Sequence, residues 1–163
     1  MEVTGILEGY LEDKASIERI DAELSELEQL LREPDATIEA YTLKPRDFNE
    51  IRSGDARHSR VEAAAEADLT TEIQREIEQL KRERRIAKRR VAVAERILAG
   101  LNDKERFMAE KHYVHKWCWE EVSMQYNLLP GVIPKGKEAF EKARRPLILK
   151  MERIAGARRV GGA

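Results

Sequence analysis

Two long stretches of the chain repeat their apolar residues at alternating steps of three and four, which restricts both stretches to packed helices. In residues 6–33 the stripe is apolar except at one position, and it consists of Tyr10, Asp13, Ile17, Ile20, Leu24, Leu27 and Leu31. The second stripe consists of Ile77, Leu80, Arg84, Ala87, Val91, Ala94, Leu98 and Leu101. A heptad stripe needs a partner helix, so the sequence predicts either an antiparallel hairpin within one chain or pairing between subunits as a homodimer.

Residues that disfavour helix mark the ends of the two predicted long helices. Pro34 ends the first, because the residue before a proline avoids the helical region. Residues 34–58 lack sustained periodicity, which predicts an irregular linker between the helices. The second helix is predicted to begin between Ser59 and Thr71 and to end at Gly100. Its stripe is widened in the last turns by Ile86, Val93 and Ile97.

The predicted domain boundary therefore falls near residue 100. Residues 1–100 would form the long, coiled-coil-like helical hairpin, and residues 101–155 a helix-turn-helix domain. In this second domain, Asn102 caps the first short helix, with Glu105 three residues later as the other half of a capping box. That helix is predicted to end near Trp117. Residues 156–163 would be a frayed tail.

Two further short helices complete the predicted helix-turn-helix. The second begins at Cys118, and Asn127 is expected to end it in a left-handed conformation. The third is basic and is predicted to start near Pro134 and to end at Arg145. After Pro146 we expect a separate apolar helix that packs back. A basic last helix of this kind would enter the DNA major groove.

The charge of the chain is divided between its two halves. Residues 1–80 hold 9 Lys+Arg and 21 Asp+Glu, whereas residues 81–163 hold 21 Lys+Arg and 10 Asp+Glu. The basic half has the electrostatic footprint of a nucleic-acid binder, so double-stranded DNA is the expected partner. Seven of the ten residues in 81–90 are basic. They form either a solvated face paired with the acidic first helix or a second DNA contact.

The run Tyr113–Val122, YVHKWCWEEV, resembles the YxxxxxWEEI signature of phage late-transcription regulators of the ArpU/RinA type. Those proteins share the signature with the fourth region of bacterial sigma factors. The resemblance covers roughly the C-terminal third of the chain. It implies a sigma-like helix-turn-helix, sequence-specific DNA binding that regulates a phage late operon, and contact with host RNA polymerase.

The predicted DNA contacts lie on the third and first short helices. Those of the third helix are Lys135, Lys137, Lys142, Arg144 and Arg145. Those of the first helix, expected on phosphates, are Lys111, His112, His115 and Lys116. Because the start of a recognition helix points into the groove, Lys135 and Lys137 are expected to read bases. Lys142 and Arg145 are then expected to meet the backbone.

Three other constellations are better explained without a cofactor. His112, His115 and Cys118 resemble metal ligands, but a structural zinc site needs four and the chain has no second cysteine. Gly131–Glu138 resembles a phosphate-binding loop, but Glu138 replaces the Ser or Thr that reaches magnesium. The adjacent Glu120 and Glu121 diverge by about 100° on a helix and cannot share a site. We therefore expect no metal, no cofactor and no enzymatic activity.

A single cysteine fits a reducing compartment, and no apolar run is long enough to span a bilayer. Together with a start that lacks signal-peptide features, this predicts a cytoplasmic protein with no membrane contact. Two other functions share the same features. One is a phage small terminase subunit, which would assemble as a ring. The other is a protein-interaction module whose basic helix binds an acidic partner.

Overall fold

The computed structural model describes residues 2–32 and 55–156, with side chains described for 2–32 and 67–156. The described residues form helices and no strand, which confirms the predicted all-α fold class. In chain order these are α1 (Val3–Glu8), α2 (Tyr10–Arg32), α3 (Asp55–Ala99), α4 (Asp103–Ala109), a π-helical turn (Glu110–Val114), α5 (Trp119–Asn127) and α6 (Lys137–Gly156). The chain divides into two compact units: residues 1–17 with 86–163 form the first unit, and residues 18–85 form the second unit.

In the second unit, α2 and α3 pack against each other through the predicted apolar stripes. The buried residues of this seam are Ile20, Leu24, Leu27, Ile73 and Ile77. Lys81 forms an ion pair with Glu28 at 3.6 Å, and Arg84 pairs with Asp21. Because later residues of α3 pair with earlier residues of α2, the helices run antiparallel. Each stripe is thus covered within one chain, as in the hairpin interpretation.

The same antiparallel pairing occurs in the first unit, between the start of α2 and the end of α3. Asp13, the one polar residue of the first stripe, forms an ion pair with Arg90 at 3.5 Å. The Tyr10 hydroxyl donates to Glu95 at 3.3 Å, and Lys14 lies 3.5 Å from the same carboxylate. The basic run therefore contributes cations to carboxylates of α2 in each unit. This supports the interpretation of residues 81–90 as a solvated, ion-paired face.

The first unit has its own apolar core, to which six of its helical elements contribute. Its buried residues are Val3, Leu7, Ala94, Ile97, Leu101, Met108, Ala109, Tyr113, Val114, Trp119, Val122, Phe140, Leu147 and Met151. The predicted single helix over 6–33 is in fact two helices separated at Gly9. The earlier start follows from Val3 and Leu7, which are buried one turn apart on α1. Residues near both chain ends thus support the same core.

The boundaries of α3 differ from the prediction at one end only. The helix ends at Ala99, as Gly100 predicted, but it begins at Asp55, before the expected start between Ser59 and Thr71. Most of the linker predicted near 34–58 lies outside the described residues, and its last four residues belong to α3. Ile86 was expected to widen the stripe, but its side chain is 51% exposed.

The prediction of a separate helix after Pro146 is wrong. Pro146 lies inside α6, which continues to Gly156. A proline in a helix interior removes one backbone hydrogen bond and costs about 3 kcal/mol. Here the ring lies on the exposed side, while Phe140, Leu147 and Met151 are buried on the other side. Fully burying each such side chain contributes about 1.5–3 kcal/mol, which offsets the cost of the proline.

The junction between α3 and α4 is held by one arginine. Arg106 of α4 donates from Nε to the Leu98 carbonyl at 2.9 Å and from its guanidinium to the Leu101 carbonyl at 3.3 Å. These carbonyls have no partner within α3, and a cation at a helix C-terminus is also favourable. Arg106 thereby fixes where the helix-turn-helix leaves the long helix. Of the helices in the described ranges, none is long and apolar enough to cross a membrane.

Candidate nucleic-acid interface

The first short helix is capped as predicted and ends earlier than predicted. The Asn102 side chain accepts from the Glu105 N–H at 2.8 Å, and the Glu105 carboxylate accepts from the Asn102 N–H at 3.0 Å. The chain then widens into the π-helical turn and stops at Val114, not near Trp117. The residue that follows the turn, Lys116, has a φ of 60°, which is unusual for a residue with a side chain.

His112 holds the connection between the π-helical turn and α5. Its Nδ1 lies 2.7 Å from the Trp117 carbonyl oxygen, and a carbonyl only accepts, so this nitrogen carries the proton. The imidazole also stacks on Trp119, with ring centroids 3.8 Å apart. His112 is thus engaged with the protein through both an edge and a face of its ring. It orders the entry into α5 whether or not it also contacts a phosphate.

The second short helix begins where the sequence predicted. Cys118 is its N-cap, and the Cys118 N–H donates to the Glu121 carboxylate at 2.8 Å. Trp119 and Val122 are buried on its inner face, which supports a core role for this tryptophan. Trp117 is half-buried against the same core.

Asn127 does not end α5 in a left-handed conformation, as we expected. In the loop over residues 128–136, the positive φ of 75° falls instead on Gly131. The Asn127 side chain accepts from the Lys135 N–H at 2.9 Å and donates to the Lys135 carbonyl at 3.0 Å. Ser123 donates to the same carbonyl at 2.8 Å. These three bonds form an amide clamp that fixes the residue two positions before α6.

The third helix starts later than predicted and presents a different set of cations. α6 begins at Lys137, so Lys135 precedes the helix instead of lying on it. Phe140 is fully buried, and at about 100° per residue the opposite side carries Lys142 and Arg145, both exposed. The Lys137 ammonium lies 3.7 Å from the Glu141 carboxylate, one turn later. The outward face is therefore centred on Lys142 and Arg145.

The remaining predicted contacts lie around the π-helical turn, and protein groups engage several of them. The Lys111 ammonium lies 4.7 Å from the Trp117 ring centroid. Lys116 forms an exposed ion pair with Glu12 at 3.3 Å, a contact worth about 0–1 kcal/mol. His115 is exposed. A phosphate could displace these weak surface contacts at little cost.

Arg144 lies beside a buried tyrosine. The Tyr113 side chain is 3% exposed, and its hydroxyl makes no hydrogen bond of ordinary geometry within the described residues. Burial raises the pKa of Tyr113, and the neighbouring Arg144 guanidinium opposes that rise. Arg144 thus lies toward the α4 side of α6 and not at the centre of the outward face.

Sequence reasoning missed one cation, Lys104, because only the tertiary fold brings it to this surface. Lys104 lies in the first turn of α4, with its ammonium 5.6 Å from the Phe140 ring centroid and 6.0 Å from that of Tyr126. It also contacts the Lys135 side chain. That contact, together with partial burial and charge repulsion, lowers the pKa of Lys104.

Large apolar side chains are exposed along one edge of this surface. On α5 and the following loop, Met124 is 63% exposed, Leu128 is 75% exposed and Ile133 is 79% exposed. We call these three residues the apolar edge. Exposed apolar groups of this size near a binding surface are typical of contact with a macromolecule.

The described residues contain no group of three or more His, Cys, Asp or Glu side chains arranged to hold a metal ion. Comparison with known proteins finds no matching family model, no matching curated protein and no matching solved structure. The resemblance of YVHKWCWEEV to phage late-transcription regulators therefore stays a prediction from the sequence.

Proposed function

We propose that this chain is a sequence-specific DNA-binding regulator of transcription that works in the cytoplasm without enzymatic activity. The observation that carries the proposal is the outward face of α6, a basic helix whose opposite face is anchored in the core by Phe140, Leu147 and Met151. Such a helix can enter the major groove without uncovering any buried side chain.

The geometry of α6 changes which residues we propose as base readers. Lys142 and Arg145 lie on the outward face within the first three turns, and both types of side chain donate to the O6 and N7 atoms of guanine. Lys137 is turned toward Glu141, and Lys135 is held in the loop before the helix. These two lysines suit phosphate contacts better than base contacts. Arg144 is assigned to the backbone for the same reason of direction.

The phages and the polymerase enter the proposal through the resemblance of YVHKWCWEEV alone. On that basis we propose a phage late operon as the regulated target and host RNA polymerase as the protein partner. The apolar edge is the surface we assign to the polymerase, because it adjoins the DNA-binding helix and is exposed. Replacing Ile133 with Asp should then reduce transcription from the target promoter while leaving DNA affinity unchanged. A matched loss of DNA affinity would remove this assignment.

The test of DNA recognition begins with selection of a preferred site from random duplexes by the intact protein. Lys142→Ala and Arg145→Ala should each cost about 1–3 kcal/mol on the selected site and little on random DNA. Lys14→Ala is the control, because Lys14 is an equally charged residue on α2 that pairs with Glu95. Failure to enrich any sequence would contradict sequence-specific binding. Native mass spectrometry of the same sample separates a monomer or dimer from the ring expected of a terminase subunit.

A further inference from the structure

Two lysine side chains, Lys104 and Lys135, are held together although they carry the same charge. The ammonium of Lys104 is in hydrogen-bonding contact with the side chain of Lys135. Both side chains are partly buried. Two like charges at contact distance repel each other, and burial strengthens this repulsion because the surroundings are less polar than water.

No carboxylate relieves the repulsion within the described ranges 2–32 and 67–156. The neighbouring lysines of this surface are neutralised there: Lys137 pairs with Glu141, and Lys150 pairs with Glu105. Neither Lys104 nor Lys135 has such an ion pair. The pair is therefore an uncompensated concentration of positive charge, which is the arrangement that binds an anion.

Both lysines are positioned by contacts that do not use their charge for stability. The Lys104 ammonium lies over the Phe140 and Tyr126 rings, at 5.6 Å and 6.0 Å from their centroids. The backbone of Lys135 is fixed by the amide clamp, through Asn127 and Ser123. The aromatic faces stabilise a cation next to them, and the clamp sets the point from which Lys135 extends.

We propose that Lys104 and Lys135 together form a binding site for a single phosphate group, which under the proposed function is one backbone phosphate of the DNA beside the start of α6. A doubly acting lysine pair suits a phosphate because the anion has several acceptor oxygens and each ammonium has several donors. This inference adds Lys104 to the interface and moves Lys135 from base reading to positioning.

Occupation of the site has a consequence for protonation. Without an anion, the neighbouring Lys135 favours loss of a proton from Lys104 and lowers its pKa. A bound phosphate would compensate both charges, so the pKa of Lys104 should rise on binding. By the same reasoning the unliganded protein becomes more stable as the pH rises from the lowered pKa of Lys104 toward 10.5.

The test uses the full chain and the variant Lys104→Met, which keeps an unbranched apolar stem over the two rings while removing the charge. Lys14→Met is the matched control on α2, and circular dichroism verifies that both variants are folded. In a random duplex, the wild-type slope of log affinity against log salt should flatten by about 0.9 in Lys104→Met, the value for one lost phosphate contact. The control should keep the wild-type slope. An unchanged slope in Lys104→Met would overturn the DNA assignment.

A second measurement separates this site from the proposed function. The Cε and Hε signals of Lys104 are followed by NMR as a function of pH, with inorganic phosphate and with duplex DNA in turn. A rise in the pKa of Lys104 with both ligands supports the site on DNA. A rise with inorganic phosphate in a protein that binds no duplex would support a phosphate site and refute DNA as its source. No change with either ligand would refute the site itself, even if DNA binding persists through α6.

If Lys104→Met does not fold, Lys104→Arg replaces it. The charge and the phosphate-binding ability are kept in this variant, so its salt slope should equal that of the wild type within error. A flattened slope in folded Lys104→Arg would contradict the proposal.

Discussion

The amide clamp on Lys135 offers the sharpest prediction about how the interface is held. Asn127→Ala removes two hydrogen bonds, one from the Lys135 N–H at 2.9 Å and one to the Lys135 carbonyl at 3.0 Å. Each is worth about 0.5–1.5 kcal/mol net, and the carbonyl keeps its bond from Ser123. We therefore expect a loss of about 1–2 kcal/mol in the local stability of the loop.

Amide hydrogen exchange at Lys135 in the full chain measures this loss at the position concerned. Protection of the Lys135 amide should fall by roughly tenfold in Asn127→Ala, since about 1.4 kcal/mol corresponds to a factor of ten. Ser123→Ala is the matched control, because Ser123 bonds the Lys135 carbonyl and not its N–H. Equal exchange at Lys135 in Asn127→Ala and wild type would refute the clamp. So would an equally large loss of protection in Ser123→Ala.

Three further substitutions test the core and the cap. Phe140→Ala should destabilise the protein by about 3–5 kcal/mol in urea unfolding, because Phe140 is fully buried, and a loss below about 1 kcal/mol would contradict its place at the centre of the core. Tyr113→Phe should change stability by less than about 0.5 kcal/mol or increase it, because the buried hydroxyl lacks a hydrogen bond, whereas a loss above about 2 kcal/mol would reveal a partner for it. Partial burial raises the pKa of Glu105, but hydrogen bonds from Lys150 and the Asn102 backbone outweigh this and lower it below 4.5. The resulting stability is present above that pH and is lost as the pH falls through the lowered pKa, so Glu105→Gln should weaken the acid dependence of unfolding, and an unaltered profile would argue against the Lys150 pair.

Local sequence signals predicted the elements whose cause is local. The capping box at Asn102 and the start of α5 at Cys118 were predicted correctly, since a cap depends on residues three positions apart. The antiparallel hairpin was one of two alternatives that the heptad stripes allowed. The choice between them depended on the partner stripe of the same chain, which the stripe itself does not specify.

The errors in the prediction have tertiary causes. Pro146 would end an isolated helix, but burial of Leu147 and Met151 beyond it keeps α6 continuous. Gly9 separates α1 from α2 within a stretch whose periodicity predicted one helix. Asn127 is used for its side-chain amide and not for a left-handed backbone, because Lys135 comes within its reach only after folding.

The candidate interface shows the same division. The sequence indicated a basic third helix, and the structure contains one, but the side of α6 that faces outward depends on which residues the core buries. A start at Lys137 instead of near Pro134 turns the helix face by three residues, which moves the centre to Lys142 and Arg145. Lys104 could not be assigned from sequence, since its neighbour Lys135 is thirty-one positions away.

The central claim is that this chain binds duplex DNA through its C-terminal basic surface. Fluorescence anisotropy of the intact protein with a random duplex, over a range of salt concentrations, tests it most directly. We predict measurable affinity at low salt and a linear fall of log affinity with log salt, with a slope of about −3 or steeper for at least three phosphate contacts. No binding at low salt, or an affinity independent of salt, would contradict the claim and favour a protein partner for the basic helix.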